Sequence, residues 1–328
     1  MSTTIGTEAG APALVLDPVD SAALGTLAEQ LCGLSTDRID DPDWVAAARN
    51  ALHDTPAAFR RSLSNFRRDS GSSGSMLLGG LPVDPDTVPE TPTVPGSVQR
   101  TATVPAALLM LTACALGDPG AFLAEKSGAL VQDVVPVPAQ EEFQGNAGSV
   151  ELSFHNENAF HPHRPEYIML LCLREDHERR AGLRTVCTRE ILPLLDDTTR
   201  ACLSSPEFET APPPSFGAGT ASAPPHAVLF GDPSDPDLRV DLAATKPLTT
   251  RAADALGELQ RLFAATARTA YLMPGDLAIV DNRVTVHGRT AFTPRYDGRD
   301  RYVQRTFVMT DLRRSRAYRP GDGYVLEN

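Results

Sequence analysis

At 328 residues the chain is long enough for roughly two average domains, although jelly rolls and barrels of this length often form one. Its 41% hydrophobic and 22% charged residues exclude a disordered or collagen-like chain and suit a globular protein with a substantial core. The formal charge of −12, from 30 Lys and Arg against 42 Asp and Glu, argues against nucleic acid and anionic membrane surfaces as partners.

The first third has helical periodicity. Leu24, Leu27 and Leu31 recur at helical spacing, and so do Phe59, Leu63 and Phe66 on a segment entered at Pro56. Residues 76–81 end in a Gly-Gly-Leu-Pro turn signal, residues 84–96 form a Pro- and Thr-rich extended connection, and an apolar helix follows over 106–116. From Ser149 the period changes. Val150, Leu152 and Phe154 alternate with Glu151, Ser153, His155 and Glu157, the repeat of a half-buried strand. Residues 167–173 are a continuous apolar run, a central strand, with 182–187 as its neighbour. Residues 211–225 are dense in Pro, Ala, Ser and Gly and suit a lid. A long amphipathic helix is expected over 249–267, where Leu256, Leu259, Leu262 and Phe263 share a face. Strands at 277–280 and 301–310 follow the Pro274-Gly275-Asp276 turn, separated by a connection that includes a loop over 287–300.

There is no internal repeat, no regular strand-helix alternation and no GxGxxG, which argues against a doubly wound fold. The expectation is a mainly β (α+β) protein with a jelly-roll, or double-stranded β-helix, core braced by helices. One domain over 1–328 is expected, with a helical part at about 18–120 and the core at about 121–320, interrupted by the helix at 249–267. The five cysteines, Cys32, Cys114, Cys172, Cys187 and Cys202, are scattered without a CxxC and are expected as buried, reduced thiols. No basic, apolar, small-residue leader opens the sequence, and the longest mostly apolar stretch, 104–116, is too short to span a bilayer. A cytoplasmic location is expected.

Two features carry chemistry. His155 and Glu157, two apart on an extended strand, point to one side and can converge on one ion; His287, following a later strand, supplies a third donor. Two histidines and a carboxylate leave adjacent positions open on a metal, as in non-haem Fe(II) oxygenases, although zinc also takes such ligands. Arg301 and Arg305, four apart on the final strand, face the same way at a separation of roughly 13 Å. One carboxylate cannot engage both closely, whereas two different carboxylates can, each held by charge-assisted hydrogen bonds.

His155-Asn156-Glu157, His287-Gly288-Arg289, the run Phe292-Thr293-Pro294-Arg295-Tyr296-Asp297-Gly298, the arginine-bearing strand and the less specific Gly117-Asp118-Pro119-Gly120 together resemble the clavaminate synthase-like Fe(II)/2-oxoglutarate oxygenases. Within that group the likeness is to the amino-acid hydroxylases of peptide-antibiotic pathways, and it runs from about Trp44 to Tyr324. The resemblance implies that His155, Glu157 and His287 are iron ligands and that Arg301, assisted by Thr185, binds the far carboxylate of 2-oxoglutarate, with O₂ as the other cosubstrate. It implies that Arg305 holds the α-carboxylate of an amino acid and that Glu125, Asn146 and Asp241 contact the rest of it. An ionised Asp241 accepts hydrogen bonds and donates none, so it favours a carboxamide NH₂ or a cation over a second carboxylate; with Asn146 donating to the carboxamide oxygen, asparagine fits. Arginine, aspartate, glutamate or an aminoacyl group on a peptide synthetase carrier protein are the alternatives for the same chemistry. Retention of Glu157 implies hydroxylation at C3 rather than halogenation.

His161 and His163 flank Pro162 in an irregular loop and are expected as surface or supporting residues; His53, His177 and His226 are isolated. Two rivals from other classes are a zinc hydrolase, which leaves the arginine pair unexplained and lacks HExxH, and a non-catalytic barrel that binds an amino acid or keto acid.

Overall fold

The computed structural model describes residues 13–217 and 222–327. Period-two alternation along the strand Tyr167–Arg174 divides it between two environments. Tyr167, Met169, Leu171 and Leu173 enter a cluster shared with the N-terminal helices, while Ile168, Leu170 and Cys172 enter a second cluster between two sheets. The larger, nine-stranded sheet runs Ala13–Val15, Ser75–Gly79, Leu277–Asp281, Tyr167–Arg174, Tyr302–Met309, Asp118–Phe122 and Val325–Leu326, with Val131–Val134 also on Tyr302–Met309 and Val98–Gln99 beyond it. The smaller sheet runs Arg268–Ala270, Leu183–Cys187, Thr285–Arg289 and Leu152–His155, antiparallel throughout. This is the expected jelly-roll arrangement, with its two sheets joined by packing rather than closed by hydrogen bonds into a barrel.

Helices brace both outer faces. Pro18–Cys32, capped by Asp17, packs with Pro42–Ala51 and Ala57–Arg68 around Val104–Leu116, which is apolar on all sides and therefore buried against the larger sheet. Thr250–Thr266 buries Ala252, Ala255, Leu259, Leu262 and Phe263 against Phe154, Val186 and Val286, the outward residues of the smaller sheet. Their in-between neighbours, His155, Thr185 and His287, consequently face inward. All five cysteines are free, and burial pushes the Cys172 thiol up to about 12.

Three local expectations change. His287 lies within the strand Thr285–Arg289 rather than on a loop, because that strand is central in its sheet and pairs His287 with both Thr185 and His155. Arg301 precedes the strand Tyr302–Met309 instead of lying on it. The strand bearing His155 ends there, and Glu157 sits in the turn beyond. Gly288 is required at its position: the register shifts beside it, and a Cβ there would lie 2.6 Å from the Leu152 carbonyl oxygen. Within the segment expected as a lid, residues 218–221 lie outside the described residues, and Phe216 is buried against Phe122 and Phe160.

Candidate active site

Two buried asparagines hold the His-x-Glu segment. Asn156 donates to the carbonyls of Asn282 (2.9 Å) and Thr285 (3.1 Å) and accepts from Val240 N (2.9 Å). Asn282 accepts from Glu157 N (2.8 Å) and donates to the carbonyls of Glu157 (3.1 Å) and Pro165 (2.8 Å). Glu157 is thus aimed by amide hydrogen bonds where the strand ladder no longer reaches.

The result is convergence of His155, Glu157 and His287, with one ligand atom from each within 4.8 Å of the others. The imidazole centroids of His155 and His287 are 4.3 Å apart, and His287 Nε2 is 3.7 Å from Glu157 Oε2. His155 Nδ1 lies 2.8 Å from the Ser153 carbonyl, which can only accept, so the proton sits on Nδ1 and Nε2 is free to ligate. Burial, then His155 and Arg305, hold the His287 pKa well below the ordinary value and keep that imidazole neutral, as a ligand must be. This donor set fits a divalent iron.

Arg305 organises the adjoining ground. It pairs with Glu125 and Gln132 and lies 3.0 Å from Glu157 Oε2. Asn146, with its amide oriented to suit its neighbours, accepts from Arg305 Nη1 (3.2 Å) and Nη2 (3.1 Å). Burial works against the Arg305 charge, but Glu125 and Glu157 outweigh it and raise its pKa. The Glu125 carboxyl is pushed up, by burial first and then by Glu157, against the pull of Arg305. Asp241, bridged through its backbone to His155, accepts from Ala243 N at 2.8 Å. Glu125, Asn146, His155, Glu157, Asp241 and Arg305 all line one cavity of about 340 Å³, whose far wall includes Ala211, Pro213 and Ser215.

Arg301 and Thr185 are not walls of that cavity. Thr185 is buried beside His287 in register, and Arg301 is buried with no hydrogen bond or ion pair among the described residues. Burial lowers the Arg301 pKa. Its neighbour Arg289, two residues beyond His287 on the same strand face, is also buried; burial and then Arg301 lower its pKa to about 9. The two guanidiniums therefore repel, and Cys172 and Asp176 offset the burial of Arg301 only in part.

His161 and His163 stay outside the cluster as expected. His161 packs on Phe122 and Phe160, and its Nδ1 accepts from His163 N at 3.0 Å. His177 is not isolated, lying 3.3 Å from Asp297 and 3.5 Å from Asp300. Sequence reasoning missed Asn282, Gln132 and the charge of Arg289. For Arg289 a signal was present, an Arg two after the candidate ligand His287.

Residues 118–307 match the family of taurine catabolism dioxygenase TauD and TfdA. The chain belongs to the TauD/TfdA dioxygenase family. It is 65% identical to an L-asparagine oxygenase of Streptomyces coelicolor over 95% of this chain and 94% of that protein. Its structure is similar to that of an asparagine oxygenase in complex with Fe(II), 2S,3S-3-hydroxyasparagine and succinate (TM-score 0.94, 64% identity, 96% of this chain and 99% of that one). It is also similar to the non-haem iron oxygenase OrfP in complex with Fe and alpha-ketoglutaric acid (TM-score 0.88, 28% identity, 97% of this chain and 100% of that one). The donor set of His155, Glu157 and His287 lies within the residues matched to the family, 118–307.

Proposed function

We propose that this enzyme is an Fe(II)- and 2-oxoglutarate-dependent dioxygenase that hydroxylates C3 of free L-asparagine. Asparagine, 2-oxoglutarate and O₂ are converted to 3-hydroxyasparagine, succinate and CO₂. The observation that carries the proposal is the inward-facing triad of His155, Glu157 and His287, beside one arginine engaged by carboxylates and a second with none. His155, Glu157 and His287 hold the iron, which when bound supplies the oxidising power that no side chain has.

Arg301 and Thr185 take the distal carboxylate of 2-oxoglutarate; a buried guanidinium without an acceptor is costly, and that carboxylate removes the cost. Arg305 takes the α-carboxylate of asparagine, Glu125 the α-ammonium, and Asn146 and Asp241 the carboxamide. Arg305 already bears carboxylate partners, so the arriving substrate exchanges one acidic partner for another instead of paying to desolvate a bare cation. Fixed in this way at both ends, the substrate presents C3 at a set position. The described N-terminal flank of the 211–225 segment lines the cavity, which supports a role in covering bound substrate.

The helices pack on the same sheet that carries Arg305, which supports one functional domain over 1–328. Free thiols and small metabolites as substrates support work in the cytoplasm, and the resemblance to the amino-acid hydroxylases of peptide-antibiotic pathways supports a supply of 3-hydroxyasparagine for such assembly.

The test is succinate formation by the iron-loaded enzyme with 2-oxoglutarate, O₂ and each standard amino acid in turn. Asparagine should stimulate succinate release well above every other amino acid, with matching 3-hydroxyasparagine. Equal stimulation by arginine or aspartate refutes the assignment of substrate, and activity only with a carrier-bound asparaginyl group refutes free asparagine.

A further inference from the structure

A second cavity, of about 230 Å³, opens where residues 161–166 meet 237–239 and 309–315, and it shares no wall residue with the active-site cavity. Four arginines border it, Arg164, Arg239, Arg283 and Arg314, against three carboxylates, Glu166, Asp237 and Asp311. Among the described residues, no ion pair joins these arginines to these carboxylates. Arg283 is neutralised elsewhere, forked onto Asp281 at 2.8 and 2.7 Å. Glu166 is committed to Thr310 N (2.9 Å) and Asp311 to Arg313 N (3.0 Å). Burial raises the carboxyl pKa of both Glu166 and Asp237, against the pull of Arg283 on each and of Arg164 on Asp237.

Three guanidiniums remain without a carboxylate hydrogen-bonded to them among the described residues. Arg239 donates to the carbonyls of Ala159 (2.6 Å) and Phe160 (2.8 Å) and to no acid. Arg164 stacks over Phe230 at 5.3 Å, and its Nη1 is fully buried with no hydrogen-bond partner. Arg314 is exposed at the mouth and makes no side-chain ion pair. The histidines report the same field: Arg239 contributes to holding His161 down and Arg314 to lowering His163, each after burial. An orphaned guanidinium nitrogen inside a cavity bordered by two further cations is a site that lacks its anion.

We propose that this cavity is a binding site for a phosphate group, inorganic or carried on a small organic ester. A tetrahedral dianion accepts from several guanidiniums arriving from different directions, which a planar carboxylate, served by one fork, does not require. The volume exceeds that of a bare ion and leaves room beside Phe230 for a small organic remainder. The site touches the catalytic turn from behind: Arg239 holds the carbonyls of residues 159 and 160, directly after Glu157.

The test is anaerobic calorimetric titration of the iron-loaded enzyme, freed of excess metal and saturated with 2-oxoglutarate and asparagine, at constant ionic strength. Inorganic phosphate and glycerol 3-phosphate are the two probes. One equivalent of either should bind. Arg314→Gln, a change at an exposed position, should weaken binding about tenfold, the loss of one charge-assisted hydrogen bond, while leaving turnover without phosphate unchanged. Arg164→Gln should abolish binding if the variant folds. Tighter binding of the ester identifies the esterified group as the ligand, and equal binding identifies the free ion. Absence of binding by both probes to about 10 mM overturns the proposal, as does binding indifferent to Arg314→Gln or abolished by raising 2-oxoglutarate.

Discussion

Replacing Asn282 by Ala tests whether the carboxylate ligand is aimed by amide hydrogen bonds. The side chain makes three buried hydrogen bonds, to Glu157 N and to the carbonyls of Glu157 and Pro165, and all three partners are backbone groups within the protein. Each buried group left unpaired costs about 1–3 kcal/mol, so the lower end of the sum is about 3 kcal/mol. For a chain of this size that is a fall of about 4 °C in the unfolding midpoint. The functional consequence is separate, because Glu157 loses its backbone anchor and the three donor atoms no longer hold one geometry. Supporting groups of this kind are typically worth about 10–100-fold in metal affinity. Equilibrium dialysis against Fe(II) under nitrogen measures this directly, alongside a thermal melt. Asn282→Asp retains the acceptor for Glu157 N but loses both donors and adds a buried charge, so it should not rescue. Iron affinity within about twofold of the parent in Asn282→Ala would falsify the reasoning, whatever the melt shows.

Arg301→Ala should raise the KM for 2-oxoglutarate far more than that for asparagine, and Arg305→Ala the reverse; equal effects on both ligands in steady-state kinetics contradict the division of labour. Asp241→Asn should increase turnover of aspartate relative to asparagine by removing a like charge and adding a donor, so an unchanged ratio removes Asp241 from substrate contact. Burial, with His163 and Arg239, lowers the His161 pKa to about 4, so the unfolded chain takes up this proton before the folded one as pH falls through 6.5. Between pH 7 and 5 that linkage removes about 2 kcal/mol of stability, and His161→Gln should flatten the decline seen in urea unfolding at the two pH values.

Much of this architecture is legible in the sequence because burial writes a period into it. The alternation of Ile168, Leu170 and Cys172 with Tyr167, Met169 and Leu171 marks a strand covered on both faces, and the uniformly apolar 104–116 marks a helix with no wet side. The proposed metal ligands stand out because few other residue types perform that chemistry. What pairs with what is not legible. His287 stands opposite both His155 and Thr185 through a register set by the whole sheet and by a bulge at Gly288, none of which leaves a local trace. Arg305 was expected from its family likeness to await a substrate carboxylate, yet it already holds Glu125 and Gln132. Such partners come from Val131–Val134 and its approach, distant in the chain, and only the fold brings them together. Asn282 escaped notice because a lone buried amide at a strand end resembles any other turn residue until its three partners are known.

The imidazoles of His155 and His287 stand on one leaf of the sandwich and the Arg305 guanidinium on the other, and each leaf is backed by its own oily layer. A substrate held between them is therefore a rivet through two plates. The buried face of Thr250–Thr266, remote from any reacting atom, backs one of those plates. Drift acquired there during evolution can retune the spacing between oxidant and anchor without altering a single residue that touches either.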